Sequence, residues 1–454
     1  MEHHPSTSRK PPGPSRDAST RSSRRARLFG VWACIGIGLL YAEFVRHALT
    51  YAYAADSTKG DFLAFYEAAR EMVHGGDLYA ERHRDYIYPP LVAFLYMPLT
   101  LLDDPTTQHR TAGIITLLAS AGMSIASAWM LARDACERLA AEGRRLAALL
   151  APVVMAIALV VVADKVRSEL RMWQTNALML LLMAVGIRAL DKRPALAGVA
   201  LGIAVNVKYL PIFFLPWLVL RRRYTAAAGM IAGILAGAFA PALWVGWSKN
   251  LEYLRTGFGA LLNLTGLGSD GPHAITGGIA DGFSVSITSS IARALGGNQH
   301  ALAAMILGGC VALVVCSMIA LAYRRSKLPL LAWPRAGMQR SGPFPALIAI
   351  ESAALILGFL IFGPQTNGRH LYLLLAPACV AAAMIVAPKT PIARWPALVG
   401  CGMLLLSLIL PPGGTESLDA AVRTWREIGG PSYGMLALLG TLVWSGSCTA
   451  RASR

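Results

Sequence analysis

Apolar positions in this chain come in long runs, each close to the ~20 residues that carry an α-helix across a bilayer, separated by short basic or Gly/Pro-rich breaks. The pattern predicts spans over about 28–49, 109–132, 146–163, 173–188, 225–246, 300–323, 345–362, 371–387, 397–411 and 432–446. Two runs depart from it. The run 196–220 has cations at both ends and Lys208 in its middle, which predicts a hairpin dipping partway across. The run 87–102 opens on Pro89-Pro90 and is expected to be short and broken. Together they predict an all-α polytopic bundle of about eleven to thirteen membrane segments, a single domain over 28–446.

Polar stretches punctuate the runs. Residues 1–27 are Ser/Pro/Arg-rich without apolar period and read as a disordered cytoplasmic tail, and 447–454 as a short second one. Span 28–49 lacks a signal-type cleavage site, so it reads as an uncleaved anchor with residues 50–87 outside. Within that loop FLAFYEAAREMV has the spacing of a short amphipathic helix, residues 62, 63, 65, 66, 69, 72 and 73 sharing a face. A second long polar segment, 247–299, and the links 362–370 and 411–431 fall outside by the same alternation. Glycines 229, 233 and 237 repeat at four-residue spacing, a close-packing seam.

Composition agrees. Of 454 residues 55% are hydrophobic and only 15% charged, with a mean hydropathy of +0.50, which excludes a soluble globular enzyme and a disordered chain. The net charge of +17 would fit a nucleic-acid binder, but the cations sit in the tail and at Arg144-Arg145, Lys192-Arg193, Arg221–Arg223, Arg324-Arg325 and Lys389, where the positive-inside bias places cytoplasmic loops. The Arg133–Arg145 loop is placed inside with them. Seven cysteines without a CxxC pair indicate neither a disulfide framework nor a zinc site. No Walker A or dinucleotide fingerprint is present.

A few polar residues stand where polarity is expensive. Asp56 and Asp61 lie in the first outer loop; Asp61 reads as the cap of the FLAFYEAAREMV helix, as a base for a hydroxyl, or as both. In DKVRSELRMWQTNA the cations Lys165, Arg167 and Arg171 fall on the outer side, where a lipid phosphate or ordinary headgroups would compensate them, and Gln174 and Asn176 start the next helix. Lys208 in AVNVKYLPIF either snorkels to an interface or reaches a phosphate or carboxylate. His370, beside Arg369 in FGPQTNGRHLYLLL, is a polar helix start or the wall of an outward cavity.

These residues sit in blocks whose order is similar to that of the C-type (GT-C) integral-membrane glycosyltransferases, specifically the polyprenol-phosphate-mannose-dependent mannosyltransferases of glycosyltransferase family 87. The blocks are GDFLAFYEAAREMVHGGDLYA, YIYPPLVAFLYMPLTLL, the stretch from WQTNALMLLL to NVKYLPIFFLPWLVLRRR, DGFSVSITSSIARALGG and GPQTNGRHLYLLLAP, spread over residues 60–377. The resemblance implies a catalytic aspartate at Asp61, a lysine of the helix-Lys-x-x-Pro stretch at Lys208, and the polar pair of a GQ-x-N stretch at Gln174 and Asn176, with Trp173 replacing the glycine. Lys208, Arg171 and Arg369 are the candidates for donor phosphate; His370, Gln174, Asn176 and Tyr88 of YIYPP are the candidates for substrate contacts. Where the family often has an acid and two histidines, this chain has Gly368, Arg369 and only His370, and DGFSVSITSS replaces a more usual Asn-Gln-Ser start.

The function so implied is transfer of a hexose, mannose first, from a polyprenyl-phosphate donor to a lipid or glycan hydroxyl on the extracytoplasmic face of a bacterial cytoplasmic membrane, with inversion. It involves no nucleotide sugar, cofactor, metal or nucleic acid, and its partners are the donor, the acceptor and membrane lipids. A lipid-phosphate leaving group needs no strong acid; one carboxylate base and cations near the departing phosphate suffice. A transporter or flippase of a lipid-linked sugar is the alternative, since a broken run with an intramembrane lysine also suits a transport path. A structural subunit without a site is the third reading.

Overall fold

The computed structural model describes residues 16–54, 61–79, 86–102, 109–139, 144–264, 278–328, 344–386, 393–408 and 416–452. It is helical throughout these residues, with one isolated bridge between Ser284 and Asn367. In chain order the first helices are α1 (Arg16–Ala54), α2 (Asp61–Val73), α3 (Pro90–Thr100), α4 (Arg110–Leu139), α5 (Arg144–Val161), α6 (Ala163–Met172), α7 (Asn176–Ala189), α8 (Pro194–Val207), α9 (Phe214–Leu220) and α10 (Tyr224–Phe239). After them come α11 (Ala242–Val245), α12 (Trp247–Leu264), α13 (Ile287–Ala294), α14 (Ala301–Arg325), α15 (Phe344–Phe362), α16 (Leu375–Val386), α17 (Arg394–Leu408), α18 (Glu416–Glu427) and α19 (Gly430–Ala452).

Four helices are long and apolar enough to cross a bilayer, Arg27–Tyr51, Arg110–Leu139, Tyr224–Val245 and Asn298–Arg325; α5 and α6, bent by 76° at Val162, make a fifth if taken as one broken span. Seven further apolar helices run 10–17 residues. The chain is therefore an integral membrane protein. Helix α3, at 11 residues, is only about 16 Å long and too short to cross alone, as its double proline led one to expect. The helix of the first span begins at Arg16, so residues 16–27 are helical rather than an unstructured tail. Adding Arg, Ala and Ser to an existing helix costs only propagation, not nucleation. Residues 1–15 and Asp56 lie outside the described residues.

Basic ends of α4, α7 and α10 meet at one end of the bundle, held by ion pairs; Lys389 lies outside the described residues. Arg138 at the end of α4 reaches Asp134 and Asp191, both at 2.7 Å; Arg223 reaches Asp191 at 2.8 Å; Arg188 lies 3.5 Å from Glu137. The part of the Arg133–Arg145 stretch up to Leu139 thus shares an end with Lys192-Arg193 and Arg221–Arg223. Nearby, Glu351 of α15 takes the Arg221 guanidinium and accepts from Trp217 Nε1 at 2.8 Å and Tyr323 Oη at 3.1 Å. A buried pair of this kind adds little net stability, but losing one partner strands the other. The Arg221→Met variant is expected to lose about 3–5 kcal/mol, read as a lower thermal midpoint in detergent.

The Asp191–Arg223 pair also settles the course of the run 196–220. Both of its ends meet there, so the chain leaves the basic end along α8, breaks at Lys208, where the backbone is extended (φ −151°, ψ 142°), and returns through a 3-10 turn at Leu210–Phe213 and α9. Lys208 stands at the far tip of this hairpin. Helix α10 then runs parallel to α8 in close backbone contact: a methyl on Gly198 would strike the carbonyl of Ala226, one on Gly202 that of Met230, and one on Gly229 or Gly233 those of Ala195 and Val199. The expected glycine seam is thus half of a pair, matched by two glycines of α8. Because backbone opposes backbone, a side chain has nowhere to move, and Gly202→Leu is expected to cost at least the ~1–3 kcal/mol of ordinary overpacking. Loss of folded protein on size exclusion would show it.

Candidate functional site

The opposite end of the bundle carries Asp61, Lys208 and the turn before α16. Helix α2 starts at Asp61, with Phe65, Tyr66, Ala68, Ala69 and Met72 fully buried, so the amphipathic face packs inward and fixes where its first residue sits. The Asp61 carboxylate, 17% exposed, is clasped by three donors from separate parts of the chain. Arg369 Nη1 lies 2.5 Å from both oxygens, Gln174 Nε2 donates to Oδ2, and Tyr88 Oη donates to Oδ2 at 3.4 Å. Lys208 Nζ donates to Gln174 Oε1 at 3.4 Å and sits 5.2 Å above the centre of the Tyr88 ring. Gln174 thereby bridges acid and lysine, accepting from one and donating to the other. At 7% exposure Lys208 is a cation in an expensive place, and it is compensated electrostatically by Glu169 and Asp61.

An elbow between α6 and α7 presents Gln174. The helix ends at Trp173 in the left-handed conformation (φ 52°, ψ 51°), a shape glycine takes freely and other residues at a cost of about 1–2 kcal/mol. This is the position where the resemblance has glycine. The tryptophan offsets the strain by packing edge-on against Phe62, 5.2 Å between ring centres, and by filling the space over Gly113, where a methyl would overlap its ring. Beyond the elbow, Asn176 Nδ2 donates to Glu169 Oε2 at 2.7 Å and to the Arg369 carbonyl at 3.4 Å.

The turn bearing Arg369 and His370 is held by the serine-rich segment. Val285 N–H donates to the Thr366 carbonyl at 2.8 Å, Thr366 N–H to Ser284 Oγ at 2.8 Å, Ser289 Oγ to the Pro364 carbonyl at 3.0 Å, and Gln365 Nε2 to Asp281 Oδ2 at 3.0 Å. The residues of DGFSVSITSS thus support the turn by hydrogen bonds. His370 Nδ1 accepts the Asn367 N–H at 3.3 Å, which leaves Nε2 to carry the proton of a neutral ring. The side-chain oxygens of Thr175, Asn176 and Asn367 and Trp173 Nε1 are buried with no hydrogen-bond partner among the described residues.

Asp61, Tyr88, Gln174, Lys208 and Arg369 are therefore brought together, with Asn176 and His370 attached through Arg369 and its turn. Arg171 is not among them. Its guanidinium lies 5.3 Å over the Tyr51 ring of α1, because positions 169 and 171 of a helix point about 200° apart and Glu169 takes the inward side. The residue that sequence reasoning passed over is Glu169, 2% exposed. Its signal was an acid two positions from each of two cations in a ten-residue helix, which does not say which stripe faces inward.

The profile of glycosyltransferase family 87 matches residues 86–339, more than half of the chain. The chain belongs to glycosyltransferase family 87. Neither a curated protein nor a solved structure matches it. Family membership implies a glycosyltransferase, with a sugar donor and an acceptor. The matched part holds Tyr88, Glu169, Gln174, Asn176 and Lys208, while Asp61, Arg369 and His370 lie on either side of it and are joined to it by the contacts above.

Proposed function

We propose that this family 87 glycosyltransferase moves a hexose, mannose first, from a polyprenyl phosphate to a lipid or glycan hydroxyl at the Asp61 end of the bundle, which faces outside the bacterial cytoplasmic membrane. The observation that carries the reading is the meeting of one acid and two cations, Asp61 with Arg369 at 2.5 Å and with Lys208 through Gln174. That is the inventory such a transfer needs. The acceptor oxygen attacks the anomeric carbon from the face opposite the phosphate, its proton passes to Asp61, and the anomeric C–O bond breaks with its electron pair leaving on the lipid phosphate. A β-linked donor then gives an α-linked product.

Arg369 is 45% exposed and shared by nothing stronger than Asp61 among the described ion pairs. A donor phosphate beside Lys208 competes for that guanidinium by charge-assisted hydrogen bonds and leaves the carboxylate oxygens free for the incoming hydroxyl. The buried oxygens of Asn176 and Asn367, unpaired among the described residues and linked to the Arg369–His370 turn, suit sugar hydroxyls. Placing the basic end inside follows the positive-inside bias.

The test is to supply the purified protein with synthetic β-linked polyprenyl-phosphate mannose, or the arabinose analogue in parallel, and membrane-lipid extract. An α-linked glycolipid and one polyprenyl phosphate per sugar transferred are expected. Movement of the donor across vesicles without a new glycosidic bond would make the protein a transporter instead.

A further inference from the structure

The Glu169 carboxylate bonds to Asn176 and Ala177 rather than to the donors of Asp61 themselves, yet it stands behind both strong donors to Asp61. Its Oε2 accepts from Asn176 Nδ2 at 2.7 Å and its Oε1 from the Ala177 N–H at 3.0 Å, while its own carbonyl accepts the Gln174 N–H at 3.3 Å. One residue so fastens the elbow 173–177 on both sides. From the elbow one line runs through the Gln174 side chain to Asp61 Oδ2. The other runs from Asn176 Nδ2 to the carbonyl of Arg369, whose guanidinium holds the same carboxylate.

A structural cap alone would not require this arrangement. The local cap residue of α7 is Thr175, which makes no capping bond, so the helix start is satisfied at long range by a buried charge rather than locally by a hydroxyl. A buried carboxylate is costly unless compensated. Here the compensation is the N-terminus of α7 and Lys208, itself part of the site. We propose that Glu169 is a positioning residue for the transfer reaction, setting Gln174 and the Arg369 turn so that Asp61 and Lys208 keep their spacing. This rests on the transferase reading above.

In Glu169→Gln one carboxylate oxygen becomes an NH2 that faces a donor, so the elbow loses a bond on one side while size is kept. A misplacement of this kind remote from the reacting atoms lowers rate by on the order of 100-fold. The expected result is that loss in kcat with donor KM unchanged, in protein that elutes and melts as the wild type does. Glu169→Asp, which keeps the charge but shortens the reach, is expected to recover part of kcat. Because Glu169 acts through Gln174, Glu169→Gln combined with Gln174→Ala should lose less than the product of the two single losses. Should Glu169→Gln fail to fold, the Asp variant decides: lower kcat at unchanged KM supports positioning. Wild-type kcat in a folded variant, or losses that multiply, overturns the inference and leaves the transferase reading intact. Absence of transfer by the wild type overturns both.

Discussion

Replacing Asp61 by asparagine is expected to leave the protein folded and slow its turnover by about 10²–10⁴-fold. The size of the effect follows from what asparagine keeps and loses. It preserves the side-chain volume at the start of α2 and an oxygen for Tyr88, while Phe65 and Tyr66 continue to anchor the helix. It loses the carboxylate that stands at the junction of Arg369, Gln174 and Tyr88 and can take a proton from a hydroxyl. The ion pair with Arg369 contributes little to stability because the guanidinium is half exposed. Initial rates on protein with a wild-type elution profile give the answer, and unreduced turnover would remove Asp61 from the mechanism.

The second large effect is expected at Lys208. Lys208→Met keeps the apolar stem at the hairpin tip and deletes the charge that faces Tyr88 and Gln174. Removing one group that stabilises developing negative charge costs about 10²–10³-fold in kcat, and here that charge is the departing lipid phosphate. The loss should appear in kcat as well as in donor KM, because the leaving phosphate carries more charge than the bound diester. Stability should fall as well, because the buried Glu169 keeps its bonds to Asn176 and Ala177 but loses the cation that compensates it, so rates are read on protein with a wild-type elution profile. A variant within twofold of wild-type kcat would separate Lys208 from catalysis.

Much of this was legible in the chain because a bilayer makes polarity conspicuous. Lys208 between apolar neighbours, the acid ahead of FLAFYEAAREMV, and the cations at the breaks each stood out against runs that had to be apolar, and the hairpin over 196–220 followed from cations at both ends. Faces of short polar helices were less legible. In α6, Arg171 and Glu169 look equally able to face a site from their spacing, and only packing against α1 and α7 separates the one over Tyr51 from the one beneath Gln174. Trp173 in a glycine's conformation read as a departure, whereas its ring on Phe62 and Gly113 explains how the elbow survives without the glycine. Arg369 read as a histidine's replacement and as a candidate for donor phosphate, not as the partner of Asp61. Its reach to Asp61 spans 308 residues of sequence, a distance over which no local pattern reports.

The most direct test of the account is transfer of radiolabelled mannose from polyprenyl-phosphate mannose to a membrane-lipid extract by the detergent-purified protein, beside its Asp61→Asn variant. The account predicts labelled lipid product from the wild type and its loss in the folded variant. Equal labelling by both would contradict the role of Asp61, and no labelling from any lipid-phosphate sugar by folded wild-type protein would contradict the proposed reaction itself.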